Sequence, residues 1–184
     1  MKKSNRQPKL IIFDFDGTIA DSFGVFLTSV NNILKQRGLA EISQQRSEVV
    51  KGLSANEAFK YYKIPNYQVP LVVNKIFQQM RANFDKVKMF PNFEEIFEAL
   101  EKNDIKLILL TSNIRKNVQT FLSNKKIGKF FKAIHFRSGL FSKHLMIKRI
   151  IRKYNLKNDE VILIGDEVRD IGAARKSGIK IVAV

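Results

Sequence analysis

Residues 10–22 constrain the fold of this chain more than any other part of its sequence. They read Leu-Ile-Ile-Phe-Asp-Phe-Asp-Gly-Thr-Ile-Ala-Asp-Ser. A short apolar run that ends in turn residues is typical of a strand buried on both faces of a parallel sheet, so Leu10–Phe13 is predicted to be a core strand. Asp14 and Asp16 follow at its carboxyl end. Because residues two apart in a strand share a side, both carboxylates can face one small volume, and Gly17 then lets the chain turn away.

Two neighbouring carboxylates repel each other unless a cation or a shared proton offsets their charge. A hard divalent ion with oxygen ligands, magnesium above all, suits this chain because it has no cysteine and two histidines. The simpler alternative is a solvated acidic turn after a strand. An EF-hand loop would need glycine and glutamate at the positions where the chain has Ile19 and Val25, so that interpretation fails.

The length and composition are those of an ordinary globular protein. The 184 residues can form one moderate domain or a core with a smaller inserted unit, and 45% of them are hydrophobic. The absence of cysteine rules out disulfides and thiolate metal sites and agrees with a reducing compartment. The apolar run after the basic residues 1–9 is too short for a signal peptide or a membrane span. We therefore expect a soluble, cytoplasmic protein that does not insert into membranes.

The chain also carries a strong positive charge. Its 33 Lys and Arg residues oppose 17 Asp and Glu residues, which leaves a formal net charge of +16. Such a field attracts phosphorylated metabolites, nucleic acid or anionic membranes, and the total does not distinguish among them. The basic residues are scattered and no nucleic-acid-binding signature accompanies them, so nucleic acid is an open partner but not the favoured one.

Residues 22–88 are predicted to form an all-helical domain inserted after the first strand. Ser54 and Glu57 make a capping box for one of its helices. Residues 70–86 have the apolar spacing of a longer helix that begins with a proline. No alternating strand pattern interrupts this region, so its apolar side chains are expected to form a core of their own.

The rest of the chain, residues 1–21 and 89–184, alternates apolar strands with helices. Strands are predicted at residues 10–13, 105–110, 133–136, 161–164 and 179–184. This order predicts a Rossmann-like α/β fold, with a parallel five-stranded sheet flanked by helices. Ligands bind beyond the carboxyl ends of the strands in such sheets. Polar residues lie directly after three of the strands, namely Asp14, Asp16, Thr111, Ser112 and Asp166.

These motifs resemble those of the haloacid dehalogenase superfamily of hydrolases, in its phosphoglycolate-phosphatase-like branch with a helical cap. The first motif matches Asp14-Phe15-Asp16-Gly17-Thr18, the second Thr111-Ser112-Asn113, and the fourth Gly165-Asp166-Glu167-Val168-Arg169-Asp170. The third motif is a lone lysine. Lys143 is the candidate, because it follows the loop at Gly139 and precedes the helix before the fourth motif, and Lys148 is the alternative. The resemblance spans nearly the whole chain and is specific to the superfamily, not to a substrate.

The resemblance implies a phosphatase mechanism. Asp14 would attack phosphorus to form an aspartyl-phosphate, while Asp16 would protonate the leaving alcohol and then activate water. The phosphoryl oxygens would be held by Thr111, the Ser112 amide and Lys143. Magnesium would be held by the Asp14 carboxylate, the Asp16 backbone carbonyl and Asp166. The supporting residues would be Gly17, Thr18, Gly165, Glu167 and Asp170, of which Glu167 has an equal alternative as an acid in the first turn of a helix.

Asp16 argues against a dehalogenase, because dehalogenating members typically lack this acid. The substrate implied is a small phosphorylated metabolite, such as phosphoglycolate or a sugar or nucleotide monophosphate. A phosphomutase, a weakly active scaffold that binds nucleic acid, and a phosphatase acting on nucleic-acid ends all remain open.

Two further expectations concern the helical domain and the chain end. Arg46, Lys51, Gly52 and Ser54 resemble the substrate-facing loop of the family. An open edge strand near Val184, where the family usually continues with a helix, could be covered in a dimer.

Overall fold

The computed structural model describes residues 7–43, 45–46, 55–136 and 143–184. The chain divides into two compact units, of which the first comprises Met1–Asp21 with Lys88–Val184 and the second Ser22–Val87. The first unit therefore resumes one residue earlier than the predicted boundary at residue 89. Among the described residues, no helix combines the length and the apolar character that crossing a membrane requires.

A parallel five-stranded sheet forms the centre of the first unit. Strand β1 (Leu10–Phe13) lies between β4 (Lys106–Thr111) and β6 (Val161–Gly165), while β5 (Phe131–Phe136) and β7 (Lys180–Ala183) form the two edges. All four residues of β1 are buried, as expected for a strand covered on both faces. The predicted parallel α/β fold is confirmed, and each strand of the sheet begins and ends within two residues of its predicted position.

Helices pack on both faces of this sheet because successive side chains of a strand point to opposite sides. The helices of the first unit are α4 (Phe93–Lys102), α5 (Arg115–Asn124), α6 (Lys143–Lys153) and α7 (Val168–Ser177). One face buries an aliphatic cluster that includes Leu10, Ile12, Ile108, Leu163, Ile147, Ile150 and Ala174. The other buries aromatic rings, with the Phe13 and Phe97 centroids 5.4 Å apart and the Phe97 and Phe131 centroids 5.2 Å apart. This packing holds the strand ends in place.

The second unit is built from α1 (Phe23–Gln36), α2 (Ala55–Tyr61) and α3 (Val69–Ala82). Its apolar core contains Ile33, Ile64, Val72 and Ile76. The helix predicted over residues 70–86 ends at Ala82, and a 3₁₀ turn, Phe84–Lys86, follows it. Asn83 leaves the helical conformation, with φ of −114° and ψ of 18°. Its side chain donates a hydrogen bond to the Gln79 carbonyl oxygen at 2.9 Å, and its backbone amide donates to the same oxygen at 3.1 Å. The capping role predicted for Ser54 lies outside the described residues.

A short antiparallel pair of strands joins the two places where the chain leaves and re-enters the first unit. Strand β2 (Ala20–Asp21) pairs with β3 (Lys88–Met89), with Ala20 opposite Met89 and Asp21 opposite Lys88. The Phe90 amide also donates to the Ile19 carbonyl oxygen at 3.0 Å. The sequence predicted only a linker here, because two-residue strands are too short to show a periodic pattern.

Candidate active site

The loop after β1 carries the first two candidate acids. The backbone amide of Asp14 still donates to the Ile164 carbonyl oxygen of β6, at 2.8 Å, so Asp14 is held at the carboxyl end of the central strand β1. The chain then folds back on itself, because the amides of Ile19 and Ala20 both donate to the Phe15 carbonyl oxygen at 2.9 Å. This tight turn places Asp16 just beyond the sheet.

Three carboxylates meet at the carboxyl ends of β1 and β6. Asp14, Asp166 and Asp170 each offer one oxygen, and these oxygens lie within 4.8 Å of one another. Asp14 and Asp170 are buried, whereas Asp166 is the solvent-accessible member. Asp14 and Asp166 come together because each follows one of two adjacent parallel strands. Asp170, which the sequence assigned only a supporting part, lies one helical turn further along and has no exposed surface.

Lys143 joins this acidic group from the first residue of α6. Its Nζ atom lies 2.9 Å from Asp14 Oδ2 and also pairs with Asp170 Oδ1. The lysine is buried, with 3% of its surface exposed, so this contact is formed away from water. Lys148, the alternative candidate for the third motif, is exposed on the same helix. Of the two lysines, Lys143 is therefore the one that contacts the acidic cluster.

Burial dominates the electrostatics of Asp14. It raises the pKa of this carboxyl from 3.8 to about 6, although the nearby Lys143 ammonium group lowers it, and Asp170 adds a further upward effect. Desolvation also raises the pKa of Asp166, while the hydrogen bond from Thr18 opposes that increase. One lysine thus compensates only part of the negative charge that the three carboxylates carry when ionised.

Two glycines make room for these carboxylates. Gly17 has a φ of 74°, in the left-handed region that favours glycine, and a Cβ atom there would overlap the Asp166 carboxylate. A Cβ atom at Gly165 would overlap the carboxylate of Asp170. The neighbouring Thr18 is buried, and its hydroxyl donates to Asp166 Oδ1 at 3.2 Å. Gly17, Thr18 and Gly165, all assigned a supporting part from the sequence, therefore lie in contact with or directly beside the acidic cluster.

The second motif lies at the end of β4, next to β1. Thr111 is the last residue of the strand and is buried, whereas Ser112 is exposed. The Thr111 hydroxyl oxygen accepts a hydrogen bond from the Asn113 backbone amide at 2.9 Å. Asn113 in turn donates its side-chain amide to both carboxylate oxygens of Asp16, at 3.1 and 3.0 Å. Sequence reasoning gave Asn113 no individual role, and its place in the Thr-Ser-Asn motif was the only signal available.

Glu167 does not belong to the group of three carboxylates. Its side chain forms an ion pair with Arg169 and accepts a hydrogen bond from Arg169 Nη2 at 2.6 Å. It precedes α7, whose first turn contains Asp170, and the Glu167 backbone amide donates to Asp170 Oδ2 at 3.4 Å. Of the loop predicted to face the substrate, Lys51, Gly52 and Ser54 lie outside the described residues, and Arg46 donates to the Tyr61 hydroxyl at 3.5 Å.

Comparisons with known proteins identify the family and the fold. A family model described as haloacid dehalogenase-like hydrolase matches residues 11–184. A phosphoglycolate phosphatase of Synechococcus elongatus is 25% identical over 174 residues, which cover 95% of this chain and 82% of that protein. A phosphoglycolate phosphatase of Pseudomonas fluorescens is 22% identical over 188 residues, which cover 96% of this chain and 69% of that protein. A solved structure from Clostridium difficile has a TM-score of 0.81 at 27% identity, with 97% of this chain and 85% of that chain covered. The solved structure of a haloacid dehalogenase-like family hydrolase from Streptococcus pneumoniae has a TM-score of 0.80 at 23% identity, with 96% of this chain and 84% of that chain covered.

Proposed function

Because the chain belongs to the haloacid dehalogenase-like hydrolase family, we propose that it is a magnesium-dependent phosphatase that hydrolyses a small phosphorylated metabolite through an aspartyl-phosphate. The observation that carries this proposal is the buried contact between Lys143 and Asp14, at 2.9 Å, within a group of three carboxylates. A nucleophile beside a fixed ammonium group can approach a phosphate dianion without the full repulsion between two anions.

The proposed reaction has two displacements at phosphorus. In the first, an Asp14 carboxylate oxygen bonds to phosphorus and the ester P–O bond breaks, and the leaving alcohol oxygen takes a proton from Asp16. In the second, a water oxygen bonds to phosphorus and loses a proton to Asp16, and the bond between Asp14 and phosphorus breaks. The Asp14 carboxylate is then free again, Asp16 again carries its proton, and the products are the alcohol and inorganic phosphate. Thr111, the Ser112 amide and Lys143 are proposed to hold the phosphoryl oxygens.

The residues at this site fit a magnesium ion. Its donors are oxygen atoms, three carboxylates lie within 4.8 Å of one another, and only one lysine contacts them among the described residues. Asp14, Asp166 and the Asp16 backbone carbonyl are the proposed ligands, while Asp170 pairs with Lys143 and supports the site. Magnesium bound there would offset negative charge on the phosphoryl group and on the nucleophile.

The substrate is proposed to be a phosphate monoester of low molecular mass, with phosphoglycolate as the first compound to test. The support for this choice is the similarity to two phosphoglycolate phosphatases over most of the chain. The net charge of +16 would also raise the local concentration of a small anionic substrate.

The test is phosphate release from phosphoglycolate and from p-nitrophenyl phosphate, with magnesium and with EDTA. We expect activity that EDTA removes and that Asp14→Asn abolishes, because the amide cannot form the phosphoenzyme. Asp104→Asn is the matched control, since Asp104 is exposed and its positive φ of 55° also suits asparagine. Acid-quenched enzyme should carry covalent phosphate in the wild type and not in Asp14→Asn. Full activity of Asp14→Asn would overturn the assigned nucleophile.

A further inference from the structure

We propose that Asn113 is a positioning residue for Asp16, so that the protonation of the leaving alcohol depends on the Asn113 side-chain amide. This inference rests on the proposed function, in which Asp16 is the acid and base. It concerns a contact between the loops after β1 and β4, which bring together two residues 97 positions apart in the sequence.

The geometry of the contact restrains the Asp16 carboxylate as a whole. Asn113 Nδ2 lies 3.1 Å from one carboxylate oxygen and 3.0 Å from the other. A donor shared almost equally between both oxygens resists rotation of the carboxylate about its terminal bond, since rotation would lengthen one of the two contacts. Asp16 follows the buried Phe15 and precedes Gly17, so its backbone is also held in the tight turn after β1.

Asn113 is itself fixed by three neighbours. Its side-chain oxygen accepts from the Ile114 amide at 2.7 Å and from Asn117 Nδ2 at 3.3 Å. Its own backbone amide donates to the Thr111 hydroxyl oxygen at 2.9 Å. Because two donors already occupy the amide oxygen, the NH₂ group is the end that faces Asp16. The reverse orientation would set an oxygen against a carboxylate and an NH₂ group against two donors.

The consequence for catalysis is specific to the leaving group. When the ester P–O bond breaks, its electron pair goes to the alcohol oxygen, which takes the proton from a correctly placed Asp16 carboxyl. An alkoxide leaves poorly without that proton, whereas a nitrophenolate leaves without help. The ratio kcat/KM covers the steps up to departure of the alcohol, so it reports this proton transfer separately from hydrolysis of the phosphoenzyme.

Asn113→Asp is the sharpest variant. It keeps the shape of the side chain and an oxygen for the Ile114 amide and Asn117, but it replaces the donor to Asp16 with a second carboxylate oxygen. We expect kcat/KM for an alkyl phosphate such as phosphoglycolate to fall by about 30-fold or more, and that for 2,4-dinitrophenyl phosphate by about 3-fold or less. Asn103→Asp is the matched control, because Asn103 is exposed and its side chain donates to the Ala99 carbonyl oxygen of its own helix region. Hydrolysis of both substrates should be unaffected.

A second pair of variants separates positioning from support of the loop. Asn113→Ala removes the donor without adding a charge, and it should give the same preferential loss for the alkyl phosphate. In an Asp16→Asn background, which has already lost the acid, Asn113→Ala should change the ratio of the two kcat/KM values by less than about 2-fold. If Asn113 only stabilised the loop before α5, its replacement would lower both substrates equally in either background.

The outcomes distinguish this inference from the function on which it rests. Equal losses for both substrates in Asn113→Asp and Asn113→Ala, or no loss in either, would overturn the positioning role and leave the phosphatase assignment standing. If the protein shows no hydrolysis that requires Asp14, both the positioning role of Asn113 and the proposed phosphatase function are overturned. A selective loss for the alkyl phosphate that disappears in the Asp16→Asn background supports the proposal.

Discussion

Replacing Asp14 with the neutral amide of asparagine should stabilise the metal-free protein at neutral pH. Burial raises the pKa of Asp14 from 3.8 to about 6 despite the contact with Lys143. A difference of about 2 pH units between the folded and unfolded states corresponds to about 3 kcal/mol once the group is ionised. Asparagine has nearly the same shape and no charge, so Asp14→Asn should raise the free energy of unfolding by about 3 kcal/mol at pH 7 while it removes activity.

The pH dependence of this gain follows from the direction of the pKa change. A carboxyl whose pKa is higher in the folded state binds its proton more tightly when folded, so its destabilising effect is complete above the folded pKa. The effect shrinks as the pH falls from about 6 toward 3.8, where both states become protonated. The stability difference between Asp14→Asn and the wild type should therefore fall from about 3 kcal/mol at pH 7 to about 1 kcal/mol at pH 4.5.

The assay is urea denaturation in EDTA at both pH values, with ΔG taken by linear extrapolation and the two proteins compared at equal m-value. Asp104→Asn removes an exposed carboxylate by the same chemical change and should leave the stability nearly unchanged at either pH. A variant no more stable than the wild type at pH 7 would refute the reasoning that the ionised Asp14 is destabilising. A gain of equal size at both pH values would show that packing, and not ionisation, is its cause.

Two other changes test neighbouring parts of the same unit. Lys143→Met leaves the buried carboxylates without the ammonium group that they share, so in EDTA the variant should lose about 3 kcal/mol of stability at pH 7. With magnesium present it should not release phosphate, whereas the wild type should. Unchanged urea denaturation would contradict the buried ion pair. Burial, with the nearby Lys153 and Arg149, lowers the pKa of His135, so the unfolded state gains its proton first and the wild type should lose stability as the pH falls below 6.5. The variant His135→Gln should not lose stability in this way. The thermal midpoints of the two proteins, compared from pH 5 to 8, measure the effect. A difference in midpoint that does not depend on pH would contradict the lowered pKa of His135.

The sheet could be predicted from the sequence because its strands carry their own signal. The residues of β1 are all apolar and all buried, which is the pattern of a strand covered on two faces. The pairing of β2 with β3 could not be predicted, because two-residue strands depend on the chain returning to the same place and have no periodicity. The end of α3 at Ala82 coincides with the non-helical backbone conformation of Asn83, which has φ of −114° and ψ of 18° and which helical spacing does not reveal.

The part of the candidate site that could be predicted from the sequence is the part that the order of the parallel strands determines. Asp14 and Asp166 converge because each follows one of two adjacent parallel strands, and both strands were visible in the sequence. The contact of Lys143 with Asp14 depends instead on where α6 begins relative to the sheet, and a lone lysine provides no pattern for that. The hydrogen bonds from Asn113 to Asp16 depend on the conformations of two loops, which sequence spacing does not determine.

The charge balance at the strand ends leaves the ionised Asp14 short of compensating positive charge. In a pair that mainly stabilises the fold, a buried acid next to a lysine has a lowered pKa, because the attraction exceeds the cost of desolvation. Asp14 contacts Lys143 and its pKa is nevertheless raised, so the surroundings supply less positive charge than the ionised carboxylate needs. A divalent cation would supply that charge, and a phosphoryl group would add negative charge again. Magnesium and phosphate ester are therefore expected to strengthen each other's binding by the same factor, because coupling between two ligands is reciprocal.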